Sequence, residues 1–169
     1  SLTDGLDKVV LDSGELTIDE VFEEKTALSH SIAARQLAVS LKSPAAKGDR
    51  RTLRVKYHGA PTRGIRFFPD QVYTVFTTSE WMVCNEDPGD LATYSLRLIA
   101  PMNWRVVASG TLKREENYNG SKVADGEQLT PIPAFGFGFS AGKFTEANGK
   151  EGPFPLRYLG SNLTQRQLA

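Results

Sequence analysis

The chain has 169 residues, and its 20 basic side chains balance 20 acidic ones at zero net charge. This balance disfavours nucleic acid as a partner, because such a protein needs a basic face to displace counterions from phosphates. It also disfavours polybasic contact with lipid, and no apolar run long enough predicts a membrane segment. The single cysteine, Cys84, excludes an internal disulfide. The length predicts one domain over residues 1–169, and the compartment stays open.

Alternation of apolar and polar residues with a period of two recurs along the chain. This period predicts strands with one buried and one wet face. The alternating runs are 16–19, 37–41, 53–57 and 94–98. Turn-forming residues fill the segments 42–49, 58–64 and 117–126, and the last contains the pairs Asn119-Gly120 and Asp125-Gly126. Short strands separated in this way predict a β-sandwich or an open barrel.

Helical signal is weak throughout the chain. Residues 80–86 fit one short helical turn before Pro88, and residues 162–168 fit the start of a terminal helix. No other segment sustains a period of 3.6 residues. The predicted fold class is therefore all-β, with at most one or two short helices.

Three phenylalanines, Phe135, Phe137 and Phe139, alternate with small residues near the end of the chain. In an extended segment they share one face, and each contributes about 1.5 to 3 kcal/mol when fully buried. The glycines on the other face let a second layer approach the backbone closely. We expect this segment to form a central strand of the core.

The same region contains a glycine-rich stretch that is similar in composition to a nucleotide-binding loop. Gly136, Gly138 and Gly142 do not have the spacing of a dinucleotide fingerprint. Lys143 follows the last glycine, but Phe144 replaces the hydroxyl residue that a P-loop uses to bind magnesium. A core strand ending in a turn is the better interpretation.

Residues that bind metals or act as nucleophiles are scarce. A cysteine hydrolase needs a histidine base beside Cys84, and only His30 and His58 are available. Their spacings match no compact zinc motif, and no His-Glu-x-x-His sequence occurs. We predict no catalytic residue, no metal ligand and no cofactor in this chain.

The segment Trp81–Pro88 carries the most specific pattern, reading WMVCNEDP, and it continues through the alternating strand 89–101 to a Ser-Gly turn at 109–110. This order resembles the N-terminal domain of the aminopeptidase N family of zinc metallopeptidases (peptidase family M-one), which includes the leukotriene hydrolases. The tyrosine-x-glycine at 57–59 and the segment 130–144 fit the same order. The resemblance spans about residues 8–160.

The resemblance implies a saddle-like, antiparallel or mixed β-sandwich whose first strands lie upstream of Ser1. It also implies that zinc is held by a following catalytic domain, absent here, whose metal-bound water attacks the peptide bond. This chain would then be the non-catalytic domain that packs on the catalytic domain and lines its substrate cleft. The parent protein would be a zinc aminopeptidase, and its partner would be the N-terminus of a peptide.

One loop of the family's domain holds the substrate's free amine with a threonine-glutamine-x-glutamate pattern. The matching positions here are Thr74, Val75, Phe76 and Thr77, so both amine-binding residues are replaced. The hydroxyls of Thr77, Thr78 and Ser79, or the carboxylate of Glu80, are possible substitutes. Alternatively, the loop only packs or faces solvent.

The resemblance gives Trp81, Cys84 and Pro88 a structural role at the corner after this loop. Trp81 offers a large apolar anchor, and Pro88 restricts the backbone. Two alternatives from other classes stay open. One is a stand-alone β-sandwich that binds a protein or a glycan, and the other is a hydrolase that uses Cys84 or a histidine.

Overall fold

The computed structural model describes residues 4–161, and within them the prediction of an all-β fold is confirmed. Every pairing between these strands is antiparallel where its register is defined. The helical part consists of two single 3₁₀ turns at Thr78–Glu80 and Ala134–Gly136. Within the described residues, no helix has the length and apolar character needed to cross a membrane. The strands are β1 Leu6–Asp12, β2 Thr17–Glu23, β3 Thr26–Ala27, β4 His30–Ala33, β5 Gln36–Ala45, β6 Leu53–His58, β7 Ile65–Phe68, β8 Gln71–Thr74, β9 Leu91–Pro101, β10 Arg105–Ala108, β11 Thr111–Tyr118, β12 Ser121–Pro133, β13 Phe139–Gly142, β14 Thr145–Glu151 and β15 Phe154–Gly160.

The strands form two compact units, and each unit is assembled from three separate segments of the chain. Within the described residues, the first unit contains 4–65 together with Val75–Leu91 and Pro133–Phe135. The second contains Arg66–Thr74, Ala92–Ile132 and 136–161. The single domain over residues 1–169 stays a prediction.

The first unit is built from two three-stranded sheets, in the orders β1-β5-β4 and β3-β2-β6. Leu37 and Val39 of β5 pack with Ile18 and Val21 of β2, and all four side chains are buried. The predicted alternation thus places one face of each sheet in a shared core. A two-residue turn at Ala34 and Arg35, both with positive φ, joins β4 to β5.

The second unit contains a four-stranded sheet in the order β10-β13-β8-β7 and a three-stranded sheet in the order β11-β12-β9. Val106 and Ala141 from the first sheet share a core with Ala124 from the second. The strands β14 and β15 form a separate hairpin. Asn119 and Gly120 make the turn between β11 and β12 with positive φ at both positions, as their sequence predicts.

The predicted central strand through Phe135, Phe137 and Phe139 is wrong. A 3₁₀ turn occupies Ala134–Gly136, so the alternation of side chains is broken before β13 begins. Phe137 is buried at 7% exposure, whereas Phe135 is 45% exposed and Phe139 is partly buried. Only Phe137 therefore has the core position that the pattern predicts for all three.

Two local predictions also need correction. Asp125-Gly126 is not a turn but lies inside β12, where the register shifts between Leu112 and Arg114 of the partner strand. A glycine opposite such a bulge accommodates the local distortion of the ladder. The short helical turn predicted for 80–86 lies earlier, at Thr78–Glu80. The helix predicted for 162–168 lies outside the described residues.

Candidate functional site

The candidate loop makes a three-residue turn centred on Phe76. The Val75 N–H donates to the Gly64 carbonyl at 2.8 Å, and the Thr77 N–H donates back to the Val75 carbonyl at 2.5 Å. The hydrogen bond from Thr77 to Val75 closes the turn around Phe76, whose φ of 33° is rare for a bulky residue. The Phe76 side chain is 79% exposed. The turn therefore presents an aromatic ring outward from a strained backbone position, which costs about 1 to 3 kcal/mol.

The predicted loop residues fall into both units. Thr74 belongs to the second unit, where its hydroxyl accepts the Phe139 N–H at 2.9 Å and lies 3.2 Å from the Phe139 carbonyl. Thr77 and Thr78 belong to the first unit. Thr78 is fully buried, and its hydroxyl donates to the Ala134 carbonyl at 2.7 Å. The hydroxyls of Thr74 and Thr78 are thus engaged by backbone, whereas the Thr77 side chain is only half-buried.

Glu80 follows the loop and is 2% exposed. Its Oε1 accepts a hydrogen bond from the Arg35 guanidinium, and the Arg63 Nε lies 3.9 Å from the same oxygen. Among the residues that the structure describes, Oε2 has no hydrogen-bond partner. Burial of a carboxylate is unfavourable unless charge and hydrogen bonds compensate for lost solvation. The pairing with Arg35 is therefore the principal compensation at this position.

The β4–β5 hairpin turn and two glycine-containing connections approach Glu80 within the first unit. A Cβ at Gly14, after β1, would lie 2.6 Å from Glu80 Oε2, and a Cβ at Gly64, before β7, would lie 2.5 Å from Glu80 Cβ. Both glycines have positive φ. Arg35 in the β4–β5 turn completes the surroundings, and its carbonyl accepts the Ser13 N–H at 2.9 Å. Glycine at positions 14 and 64 is what lets the backbone come this close.

The corner after the loop is tied to the end of β1. Cys84 pairs with Asp12 through two backbone hydrogen bonds of 2.7 and 3.0 Å. The Glu86 N–H donates to the Asp12 carboxylate at 3.0 Å, and the Glu86 carboxylate accepts the Ser79 N–H at 2.6 Å. The backbone carbonyl of Trp81 accepts the Tyr57 hydroxyl at 3.3 Å.

Trp81 and Cys84 are partly buried in this corner, whereas Pro88 is exposed in the following turn. Burial, then the negative charges of Glu86 and Asp12, raise the pKa of the Cys84 thiol to about 12. Its sulfur lies 3.9 Å from a Glu86 carboxylate oxygen. A nucleophilic cysteine needs the opposite environment, in which a cation or a histidine stabilises the thiolate.

The described residues also offer no evident metal centre. No three His, Cys, Asp or Glu side chains among residues 4–161 are grouped so that they would hold an ion. His58 lies on the surface, with Nδ1 2.9 Å from a carboxylate oxygen of Asp19. The residues present here therefore do not fit a catalytic zinc.

The fold of this chain is similar to that of several solved enzyme structures. A zinc metallopeptidase of the M1 class from Deinococcus radiodurans matches 87% of this chain at 23% identity, with a TM-score of 0.79. Aminopeptidase A of Legionella pneumophila matches 90% at 15% identity and a TM-score of 0.79, and yeast LTA4 hydrolase matches 83% at 20% identity and 0.70. The fold is one found within M1 zinc metallopeptidases. The resemblance predicted from the sequence is thus confirmed at the level of the fold.

This chain spans only part of each similar protein. It covers 37% of the Deinococcus chain, 20% of the Legionella chain and 24% of the yeast chain. No protein-family model matches the sequence, and a search of curated proteins found no match either.

Several residues around the loop were missed by sequence reasoning. Arg35, Gly14 and Gly64 reach Glu80 from distant parts of the chain. The signal that sequence offers for them is weak, because isolated glycines and one arginine in turn segments are common. Asp12 and Glu86 lie within the span of the family resemblance, but the bonds of the Glu86 N–H to Asp12 and of the Ser79 N–H to the Glu86 carboxylate are visible only in the structure.

Proposed function

We propose that this chain is the non-catalytic β domain of an M1-type zinc aminopeptidase. The observation that carries the proposal is the fold match over 87% of this chain and 37% of a zinc metallopeptidase, at a TM-score of 0.79. In this proposal a separate catalytic domain holds the zinc and supplies the peptidase chemistry. The chain itself packs on that domain and lines its substrate cleft.

Exposed aromatic residues support contact with another protein domain. Phe67 is 61% exposed, and Phe68 stacks on Tyr73 with ring centroids 5.9 Å apart, both on the surface of the β7–β8 hairpin. Exposed apolar groups that cluster in this way are typical of interaction surfaces. We assign this hairpin to the interface with the catalytic domain.

The segment from Thr74 to Glu80 is our candidate for lining the cleft and meeting the N-terminus of a peptide. The half-buried Thr77 offers a hydroxyl and the exposed Phe76 offers an apolar ring at the turn. The hydroxyls of Thr74 and Thr78 are engaged by backbone and one carboxylate oxygen of Glu80 by Arg35, which supports a role in shaping the segment. Direct contact with substrate is therefore proposed for the turn itself.

The proposal is tested on the protein made from the complete reading frame. A His-Glu-x-x-His sequence is expected within about 150 residues of Ala169, roughly one domain length. The protein should release single residues from unblocked peptides, and Thr77→Ala should raise KM more than it lowers kcat, since it removes a binding contact. Thr26→Ala, on the exposed strand β3, is the matched control. A reading frame without the motif, or an inactive zinc-loaded protein, would contradict the proposal.

The stacked pair of Phe68 and Tyr73 also favours a second function, a stand-alone module that binds a protein or a glycan. Exposed aromatic rings supply apolar contact area at low entropic cost. Binding of this chain to an array of glycans or peptides with a micromolar Kd, lost in Tyr73→Ala, would favour the module over the peptidase domain.

A further inference from the structure

We infer that Glu80 is a positioning residue, which holds the Val75–Thr77 turn in one conformation through its ion pair with Arg35. The inference deepens the proposed function, because it rests on the turn being the part that meets substrate. In this inference Glu80 lies behind the turn, where its carboxylate binds the Arg35 guanidinium and not the amine of a peptide.

The first support is the cost of having a carboxylate at this position. Glu80 is buried, one of its oxygens accepts from Arg35, and the other has no hydrogen-bond partner within the described part of the chain. Apolar residues commonly replace a buried ion pair without loss of stability. A buried glutamate with one unsatisfied oxygen is therefore better explained by a need for one fixed geometry than by a need for stability.

The second support is the direct packing between Glu80 and the base of the turn. A Cβ at Gly64 would collide with the Thr77 carbonyl and with Glu80 Cβ, so the Gly64 backbone lies close to both. The Gly64 carbonyl accepts the Val75 N–H. Any movement of Glu80 therefore acts on the residue that holds the first hydrogen bond of the turn.

The third support is the fixed position of Arg35. Its backbone lies at φ 66° in a tight hairpin turn, and its carbonyl accepts hydrogen bonds from both the Ser13 N–H and the Ser13 hydroxyl. Its guanidinium also donates to Glu15 at 2.9 Å on the surface. Arg35 thus extends from a rigid turn toward Glu80 and provides a defined anchor for the buried carboxylate.

The test compares amide hydrogen exchange in the unaltered protein with that in Glu80→Gln, Arg35→Met and the double variant. Glu80→Gln keeps the shape and removes the charge. Each variant should accelerate exchange at Val75 and Thr77 at least tenfold relative to the amides of β2 and β6. The double variant should exchange no faster at these amides than either single variant, because each single change already removes the ion pair between Glu80 and Arg35. Glu15→Gln removes the exposed partner of Arg35 and should leave both amides unchanged. Equal exchange at Val75 and Thr77 in the unaltered protein and Glu80→Gln would overturn the inference.

A kinetic measurement on the protein from the complete reading frame separates positioning from general stability. Glu80→Gln should raise KM for an unblocked peptide at least fivefold with kcat within twofold, and Glu15→Gln should change neither. An unchanged KM in an active enzyme would overturn the functional role of Glu80. If the unaltered enzyme had no peptidase activity, the proposed function would fail, and the exchange comparison would decide the inference by itself.

Discussion

Phe137 stacks on Tyr94, with ring centroids 4.5 Å apart and an interplanar angle of 10°. Both residues belong to the second unit, and both side chains are buried. Phe135, two residues earlier, lies in the 3₁₀ turn with its ring on the surface. The two phenylalanines are equal in chemistry and close in sequence, so they separate the effect of burial from the effect of residue type.

Phe137→Ala should lower the free energy of unfolding by about 3 to 5 kcal/mol, because it empties a buried aromatic site and removes the stacked partner of Tyr94. Phe135→Ala is the control and should change the stability by less than about 1 kcal/mol. Urea titration of both variants measures the difference. Equal destabilisation by the two substitutions would contradict the assignment of Phe137 to the core.

Gly64→Ala should destabilise the protein more than Gly120→Ala. Both glycines have positive φ, which costs an alanine about 1 to 2 kcal/mol. A Cβ at Gly120 meets nothing within 4 Å, whereas a Cβ at Gly64 meets the Thr77 carbonyl and Glu80. The collision should add about 1 to 3 kcal/mol, the usual range for overpacking. Similar losses in the two variants would show that the base of the loop is less closely packed than the structure indicates.

The Cys84 thiol should react slowly with alkylating reagents in the folded protein. With its pKa raised to about 12, it is almost wholly protonated at pH 8, whereas an unfolded cysteine has a pKa of about 8.5. Alkylation at pH 8 should therefore be about three orders of magnitude slower before unfolding than after it. Glu86→Gln removes a neighbouring charge that raises the pKa, so it should accelerate the reaction. Equal rates in folded and urea-unfolded protein would contradict the placement of the thiol.

The strands could be predicted well because alternation is a local signal. The runs around Val39, Val55 and Leu96 each form the predicted strand, and Asn119-Gly120 forms the predicted hairpin turn. Phe135 was mispredicted because the 3₁₀ turn at Ala134–Gly136 interrupts a pattern that is fully consistent with a strand. Asp125-Gly126 was mispredicted because a glycine opposite a bulge and a glycine in a turn give the same local signal.

The surroundings of Glu80 could not be predicted from local patterns. Arg35 lies 45 residues earlier in the chain, and the two meet only because the β4–β5 turn and the 3₁₀ turn at Thr78–Glu80 come together in the first unit. Glutamate side chains are rarely buried without a partner. The partner of Glu80 is supplied by tertiary structure, so no local pattern indicates its burial.

The zinc content of the protein made from the complete reading frame, compared with that of residues 1–169, tests the proposal that this chain is the non-catalytic domain of a zinc peptidase. Elemental analysis after removal of loosely bound metal should find one zinc per molecule of the complete protein and none in the shorter chain. One zinc bound by residues 1–169 alone, or a complete protein without zinc, would contradict the assignment of this chain as the non-catalytic domain of a zinc peptidase.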